Sequence, residues 1–330
     1  NKGDIERANV YFKSVLVANS ILAVVLAVPA GVFSFFPTAI MNVPETLVPD
    51  VRMAFLFSAV SMEVSLVLSV FGCVYYVKNR LDKSALRNIE GNVVRAVVLL
   101  ILFTILSPRI YYVPATMLIV NVYVCAANIY YTRRLTPQLS LKGSRFSGKA
   151  IRELLSSGIW NSVDQLSWIL LSTLGIYLAN LFAGPDVGGL YSISKTVPGF
   201  LGAIASLAVS VFAPPIMIDY AKGRFDLMKS DFMFSIKSTG VVFVVPIGFF
   251  RVSGGAFFEW WVPGQDSGFL QSMAVGILIP RIVSFGSMLA NNLFTAANKL
   301  KAPALIFLIS GMLNVGLVIV LEYTTDLGIW

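Results

Sequence analysis

Six charged side chains, Glu63, Arg95, Asp164, Lys195, Lys237 and Arg281, stand inside stretches that are otherwise almost wholly apolar. A charge in hydrocarbon is costly, so each is expected to be paired, to snorkel to a surface or to serve the passage of a polar solute. Asn161, Asp164, Gln165, Trp168 and Ser172 recur at spacings of three and four, which gathers them on one helix face turned to a cavity. Ser192, Lys195, Gly199, Gly202 and Ser206 do the same on the following stretch, where the glycines also suit a seam for close helix packing. Lys195 does not fit such a seam; it is expected to pair with Asp164 or to bind an anionic substrate group. Arg281, Ser284, Met288, Asn292 and Thr295 make a third polar stripe, read as lining a cavity.

The remaining charges are more open. Arg95 shares a face with Asn88 and Asn92 and either snorkels or lines the cavity, and Lys237, near a helix end, snorkels. Glu63 has the apolar helical neighbours Ala59, Val60, Leu66, Val67 and Val70; it could carry a coupling proton or serve as a structural hydrogen-bond partner. The chain has no histidine, which removes the usual proton shuttle, zinc ligand and Ser-His or Cys-His nucleophile. Cys73 and Cys125 fall inside apolar stretches without metal-ligand spacing. No metal, cofactor or catalytic residue is expected.

The elements that hold these residues are membrane spans. Only 13% of the chain is charged and 57% is hydrophobic, with a mean hydropathy of +0.79. A soluble domain has about a quarter of its residues charged. Nine apolar runs of spanning length are expected, near Tyr11 to Phe36, Met53 to Val77, Gly91 to Leu106, Tyr112 to Tyr130, Trp160 to Ala183, Gly189 to Ile218, Met233 to Phe250, Phe269 to Thr295 and Ala304 to Leu321. Pro198 and Pro214-Pro215 are expected to interrupt the sixth. The net charge of +8 is sided: alternate loops carry Lys78, Arg80, Lys83 and Arg87, then Arg133, Arg134, Lys142, Arg145, Lys149 and Arg152, then Lys222 and Arg224, then Lys299 and Lys301. The loops between them carry Glu45, Asp50, Asp186, Glu259 and Asp266. The positive-inside rule puts the basic set in the cytoplasm and explains the charge without nucleic acid. Glu259-Trp260-Trp261 reads as part of an interfacial aromatic belt.

The chain repeats itself. Lys2-Gly3 returns as Lys222-Gly223, Val28-Pro29 as Val245-Pro246, Phe35-Phe36 with Val43-Pro44 as Phe257-Phe258 with Val262-Pro263, and Asn79-Arg80-Leu81 as Asn298-Lys299-Leu300. The order is kept, with offsets between 217 and 222 residues (245 against 28, 257 against 35). The reading is an all-α integral membrane protein of two pseudo-symmetric six-helix bundles with parallel topology. Residues 1–131 form an incomplete first bundle of four helices, 132–150 a cytoplasmic linker, and 151–330 a second bundle of five, opened by a short interfacial helix at Ile151 to Ile159. Two spans are expected before Lys2 and at least one after Trp330.

These features resemble the polysaccharide and O-antigen flippases of the multidrug/oligosaccharidyl-lipid/polysaccharide (MOP) exporter superfamily, whose fold the multidrug (MATE) exporters share. The resemblance rests on Lys2-Gly3-Asp4, Gly158-Ile159-Trp160-Asn161-Ser162, Gly189-Leu190-Tyr191-Ser192-Ile193-Ser194-Lys195-Thr196-Val197-Pro198, Ala213-Pro214-Pro215, Lys222-Gly223 and Ala297-Asn298-Lys299-Leu300-Lys301-Ala302-Pro303. It implies a plasma-membrane transporter, not an enzyme, that flips polyprenyl-diphosphate-linked oligosaccharide to the outer leaflet by alternating access. Polysaccharide polymerases and glycosyltransferases are its implied partners. Lys195, Arg281 and Arg95 then become candidates for the diphosphate, and Asn161, Gln165, Trp168 and Asn292 for the sugars. Asp164 and Glu63 become candidates for coupling to H+ or Na+. A cation-coupled multidrug exporter and a peptidoglycan-precursor flippase are alternative transport readings. A membrane polymerase or ligase would need a large external loop with clustered catalytic groups, which the sequence lacks.

Overall fold

The computed structural model describes residues 2–139, 145–297 and 299–325. Lys142, Asn298, Asp326 and the residues after it therefore lie outside the described residues. All regular structure among the described residues is helical, and the chain divides into two compact units, Asn1–Ser157 and Gly158–Trp330.

The first unit contains α1 (Lys2–Phe35), α2 (Val48–Leu68), the short α3 (Cys73–Val77), α4 (Leu81–Ile105), α5 (Tyr112–Leu135) and the opening of α6 (Gly148–Trp168). Helix α2 lies between α1 and α5, and α4 packs on α5. Lipid tails are as apolar as leucine, so helices in a membrane are held by small residues and polar contacts rather than by burial of oil. Gly91 of α4 supplies the small residue: a Cβ there would lie 2.7 Å from Cγ1 of Val120 on α5. Polar ties complete the unit. Asn19 Nδ2 donates to the Leu66 carbonyl at 2.9 Å, Thr132 Oγ1 to the Phe71 carbonyl at 2.8 Å, and Asn121 Nδ2 to Ser61 Oγ.

The second unit continues α6 through a five-residue π-helical turn, Ile169–Thr173, into α7 (Leu174–Ala183), then α8 (Pro185–Ser194), α9 (Thr196–Ala221), α10 (Phe225–Trp261), α11 (Ser267–Ala296) and α12 (Lys301–Thr324). Helix α11 is central, packing on α8, α9 and α10. Its contact with them buries Phe243, Ile247, Phe258, Leu270, Ala274 and Leu278.

Three contacts fix the direction of α12. Lys301 lies over Trp160, a Cβ on Gly311 would sit 3.0 Å from Leu170 Cβ, and the Tyr323 and Phe182 rings are 5.9 Å apart. Each pair is separated by the same 141 residues (301 against 160, 311 against 170, 323 against 182). The helix that starts as α6 and helix α12 therefore run parallel, in constant register, over about 33 Å, the depth of a bilayer core.

Eight helices among the described residues are long and apolar enough to cross a membrane, one fewer than the nine expected. The ninth expected run, Phe269 to Thr295, lies in α11, a helix of 30 residues whose apolar stretch among the described residues is Ser267–Ile282. Parallel α6 and α12 need an even number of reversals between them, so α11 runs the length of the unit. Two further expectations are corrected. Ile151 to Ile159 is no separate interfacial helix but part of continuous α6. Pro214 and Pro215 lie within unbroken α9, and the break in that span falls at Lys195.

The sequence repeat reappears in the backbone. Helix α3 closes with Arg80 N–H donating to the Tyr75 carbonyl at 2.7 Å, and α11 closes with Lys299 N–H donating to the Phe294 carbonyl at 2.8 Å, positions 219 residues apart (299 against 80). The end of α9 has the same closure, Arg224 N–H to the Asp219 carbonyl at 2.9 Å, with Gly223 at φ 69°. Asn79 takes the equivalent left-handed place at φ 49°. This six-to-one bond around a left-handed residue is the Schellman stop, which explains why Asn and Gly punctuate the basic loops. Pro29 and Pro246 likewise lie inside the corresponding helices α1 and α10.

Candidate functional site

The strongest cluster of sequence-predicted residues forms in the second unit, where α6, the α8–α9 break and α11 meet. Trp168 is the last residue of α6 before the π-helical turn. The guanidinium of Arg281 lies over its indole ring, 5.8 Å from the centroid. Indole is the best neutral partner for a cation, because the ring face carries negative charge. Arg281 also lies against α9, with its Nη1 3.5 Å from where a Cβ on Gly202 would stand, an ordinary contact.

Lys195 occupies the break between α8 and α9. Pro198, within the first turn of α9, has no N–H to donate back to the Ser194 carbonyl, and its ring crowds that carbonyl. The chain is thereby opened at a lysine. The Lys195 ammonium donates to the carbonyl oxygen of Ser172, on the π-helical turn, and lies 5.4 Å from the centre of the Tyr191 ring. Tyr191 was not singled out as a site residue by the polar stripes; its spacing of four residues from Lys195 is the signal that could have found it. Lys195 and Arg281 thus meet the same helix one helical turn apart, at Ser172 and at Trp168.

Two half-buried cations thus stand together, cradled by ring faces and a carbonyl. Neither forms an ion pair with a carboxylate among the described residues, so the expected Lys195–Asp164 pair is not made. An anion between them would relieve their repulsion and gain charge-assisted hydrogen bonds from both.

The other candidates surround this cluster unevenly. Asn161 and Gln165 are exposed on α6 and Asp164 is half-buried there, on the side of the helix that leads to Trp168. Asn292 lies about 16 Å along α11 from Arg281, and its Nδ2 donates to the Met288 carbonyl at 3.0 Å. The Thr295 side chain lies outside the described residues. Arg95 and Glu63 belong to the first unit. Arg95 on α4 is half-buried, and its Nε is enclosed without a hydrogen-bond partner. Glu63 is half-buried in α2. The two clefts described, of about 670 Å³ beside Ala54, Phe103 and Arg109 and about 280 Å³ between α11 and α12, contain none of these residues. No group of three metal-ligating side chains occurs among the described residues.

Comparison with known proteins gives a consistent result. Residues 2–221 match the family described as polysaccharide biosynthesis protein. Over its whole length the chain is 26% identical to the uncharacterized membrane protein EpsK of Bacillus subtilis (strain 168), and it spans 65% of that relative's length. Among solved structures, an inward-facing multidrug resistance MATE family transporter of the MOP superfamily superposes with a TM-score of 0.77 at 14% identity, covering 99% of this chain and 76% of that one. An outward-facing transporter of the same family superposes with a TM-score of 0.65 at 12% identity, covering 98% and 76%. The multi-pass architecture, the repeat and these matches agree: the chain belongs to the polysaccharide biosynthesis protein family and has the MOP exporter fold.

Proposed function

We propose that this protein is a flippase that carries polyprenyl-diphosphate-linked oligosaccharide from the inner to the outer leaflet of the plasma membrane by alternating access. The observation that carries the reading is the Lys195–Arg281 pair. Two intramembrane cations, stacked on Tyr191 and Trp168 and free of a carboxylate ion pair among the described residues, suit a dianionic headgroup better than a cationic drug. Trp168 offers its remaining edge to a sugar, and the exposed amides of Asn161 and Gln165 continue that polar surface along α6. Arg95 is a further diphosphate candidate and Asn292 a further sugar contact. The basic loops face the cytoplasm in this reading, and Asp164 and Glu63 are the candidates for taking up H+ or Na+. The lipid tail stays in the bilayer while the headgroup crosses.

The native protein in proteoliposomes tests this. A fluorescent polyprenyl-diphosphate sugar is expected to become accessible to an external quencher in a protein-dependent way, while efflux of a cationic dye is not accelerated. Accelerated dye efflux under a cation gradient, with the lipid left in place, would establish the multidrug reading instead. Protein-dependent joining of sugar units without a partner enzyme would establish a polymerase.

A further inference from the structure

A second cation–aromatic pair lies on the same helix as Trp168, nearer the start of α6. Lys301, the first residue of α12, holds its ammonium 5.6 Å from the centre of the Trp160 ring on α6. The pair is set by the constant register of the two helices: Gly311 lets α12 approach α6 so closely that a Cβ there would meet Leu170 at 3.0 Å and the Ser167 carbonyl at 3.4 Å. The ammonium is exposed and forms no carboxylate ion pair among the described residues. One residue further on, an apolar cleft of about 280 Å³ begins between α12 and α11, bounded by Ala302, Pro303, Ile306, Phe307 and Phe294, with Asn291 as its polar lining residue. A cation on an aromatic face, toward α6, and an apolar slot, toward α11, thus lie within the first two turns of α12, at the basic-loop end of the unit. Ordinary phospholipid has an anionic phosphate and tails but no sugar ring to place on an indole.

We infer that Lys301, Trp160 and this cleft form a loading site for an isoprenoid diphosphate sugar. Its diphosphate rests on Lys301, its first sugar on Trp160 and its first isoprene groups in the cleft. The inference rests on the flippase reading, and it adds a position at which the lipid is held before the headgroup reaches Arg281. Trp160 and Trp168 are eight residues apart on α6, about 12 Å along the helix, so the headgroup moves from one cation–indole step to the next without leaving that helix.

The probe is farnesyl diphosphate, measured for binding to the native protein in nanodiscs. Lys301→Gln and Ile306→Trp are each expected to weaken binding about tenfold, by loss of a charge-assisted contact and by filling the cleft. Trp160→Phe is expected to keep binding of this sugar-free probe within threefold, and Trp160→Leu to weaken a sugar-bearing probe more than farnesyl diphosphate. Inorganic diphosphate and farnesol are both expected to compete poorly. Unchanged affinity in Lys301→Gln and Ile306→Trp would overturn the loading site, as would equal competition by phosphatidylglycerol, which would make it a general anionic-lipid contact. These outcomes separate from failure of the flippase reading. A wrong loading site leaves flipping sensitive to Lys195→Ala and Arg281→Ala, whereas a wrong function leaves no lipid movement for any variant to lose.

Discussion

The two units handle positive charge differently. In the first, most of the contacts of cations are with carboxylates: Arg109 with Asp50 at 3.2 Å, Arg80 with Asp82 at 3.0 Å, Arg7 with Glu153 at 3.8 Å, and Arg87 with Glu90 at 2.7 Å, the last joined by Tyr123, while Arg7 also lies over Tyr11 and Lys83 over Tyr131 near the helix ends. In the second, Lys195, Arg281 and Lys301 meet Tyr191, Trp168 and Trp160. Arg224 with Asp219, at a helix stop outside this cluster, is the ion pair found there among the described residues. A carboxylate neutralises a cation outright, whereas a ring face holds it in place and leaves most of its field to act on something else. In the proposed reading the paired charges of the first unit are scaffold, and the half-buried Lys195 and Arg281, stacked and without a carboxylate among the described residues, are kept for a ligand.

The largest break in this comparison comes from removing the stacked cations. Lys195→Ala and Arg281→Ala are each expected to lower flipping of a lipid-diphosphate sugar at least tenfold, a loss of about 1.5–3 kcal/mol from one charge-assisted hydrogen bond. The double variant is expected to lose little more than either single one, because one diphosphate spans both. Trp168→Leu should lower flipping less, since it removes the cradle and keeps the charge. Membrane level and thermal stability of each variant are measured alongside. Normal flipping by Lys195→Ala and Arg281→Ala, both stably inserted, would refute the assignment.

The apolar runs, the sided charge and the repeat were all legible in the sequence, because each is written in local residue types. Asn79 and Gly223 announce helix stops through their tolerance of left-handed backbone, and the same stops are found in the structure. Helical spacing alone puts Asp164, Gln165 and Trp168 on one side of α6. What spacing does not contain is which stripe meets which. Trp168 and Arg281 are 113 residues apart, and the packing of α11 against α8 and α9 that brings Arg281 to Gly202 stems from the buried surfaces of Phe243, Leu270 and Leu278. Lys195 looked like a partner for Asp164 because both are charged and on adjacent helices. The break before Pro198 and the π-helical turn after Trp168 give its ammonium the Ser172 carbonyl instead.

Small-residue contacts sharpen the same contrast at intermediate size. Gly188, after the α7–α8 turn, faces backbone: a Cβ would lie 2.9 Å from Asn180 Cα. Gly91 in the first unit faces the Val120 side chain. Gly91→Ala and Gly188→Ala are each expected to destabilise by about 1–3 kcal/mol through overpacking. Val120→Ala should rescue Gly91→Ala, since a shortened side chain makes room, whereas shortening Asn180 leaves the backbone contact of Gly188→Ala in place. Thermal unfolding in detergent of the single and double variants decides it. Equal rescue at both places would show that the α7–α8 hairpin shifts as readily as a side chain, and that the second unit is softer than its contacts indicate.

The smallest effect belongs to the paired charges themselves. Asp50 is nearly buried, with its side chain 10% exposed, but Arg109 is 51% exposed, so water screens the pair. The Ile110 backbone N–H also donates to Asp50, at a long 3.4 Å, and an asparagine oxygen can accept the same bond. Asp50→Asn is therefore expected to cost only about 0.5–1 kcal/mol in thermal stability and to leave flipping at its native rate. Raised salt should shrink even that difference, since it screens the exposed Arg109 end of the pair. A loss of flipping in Asp50→Asn as deep as that of Lys195→Ala, without loss of stability, would erase the division between scaffold charge and ligand charge, because a carboxylate-paired arginine would then be acting on the substrate as the stacked cations do.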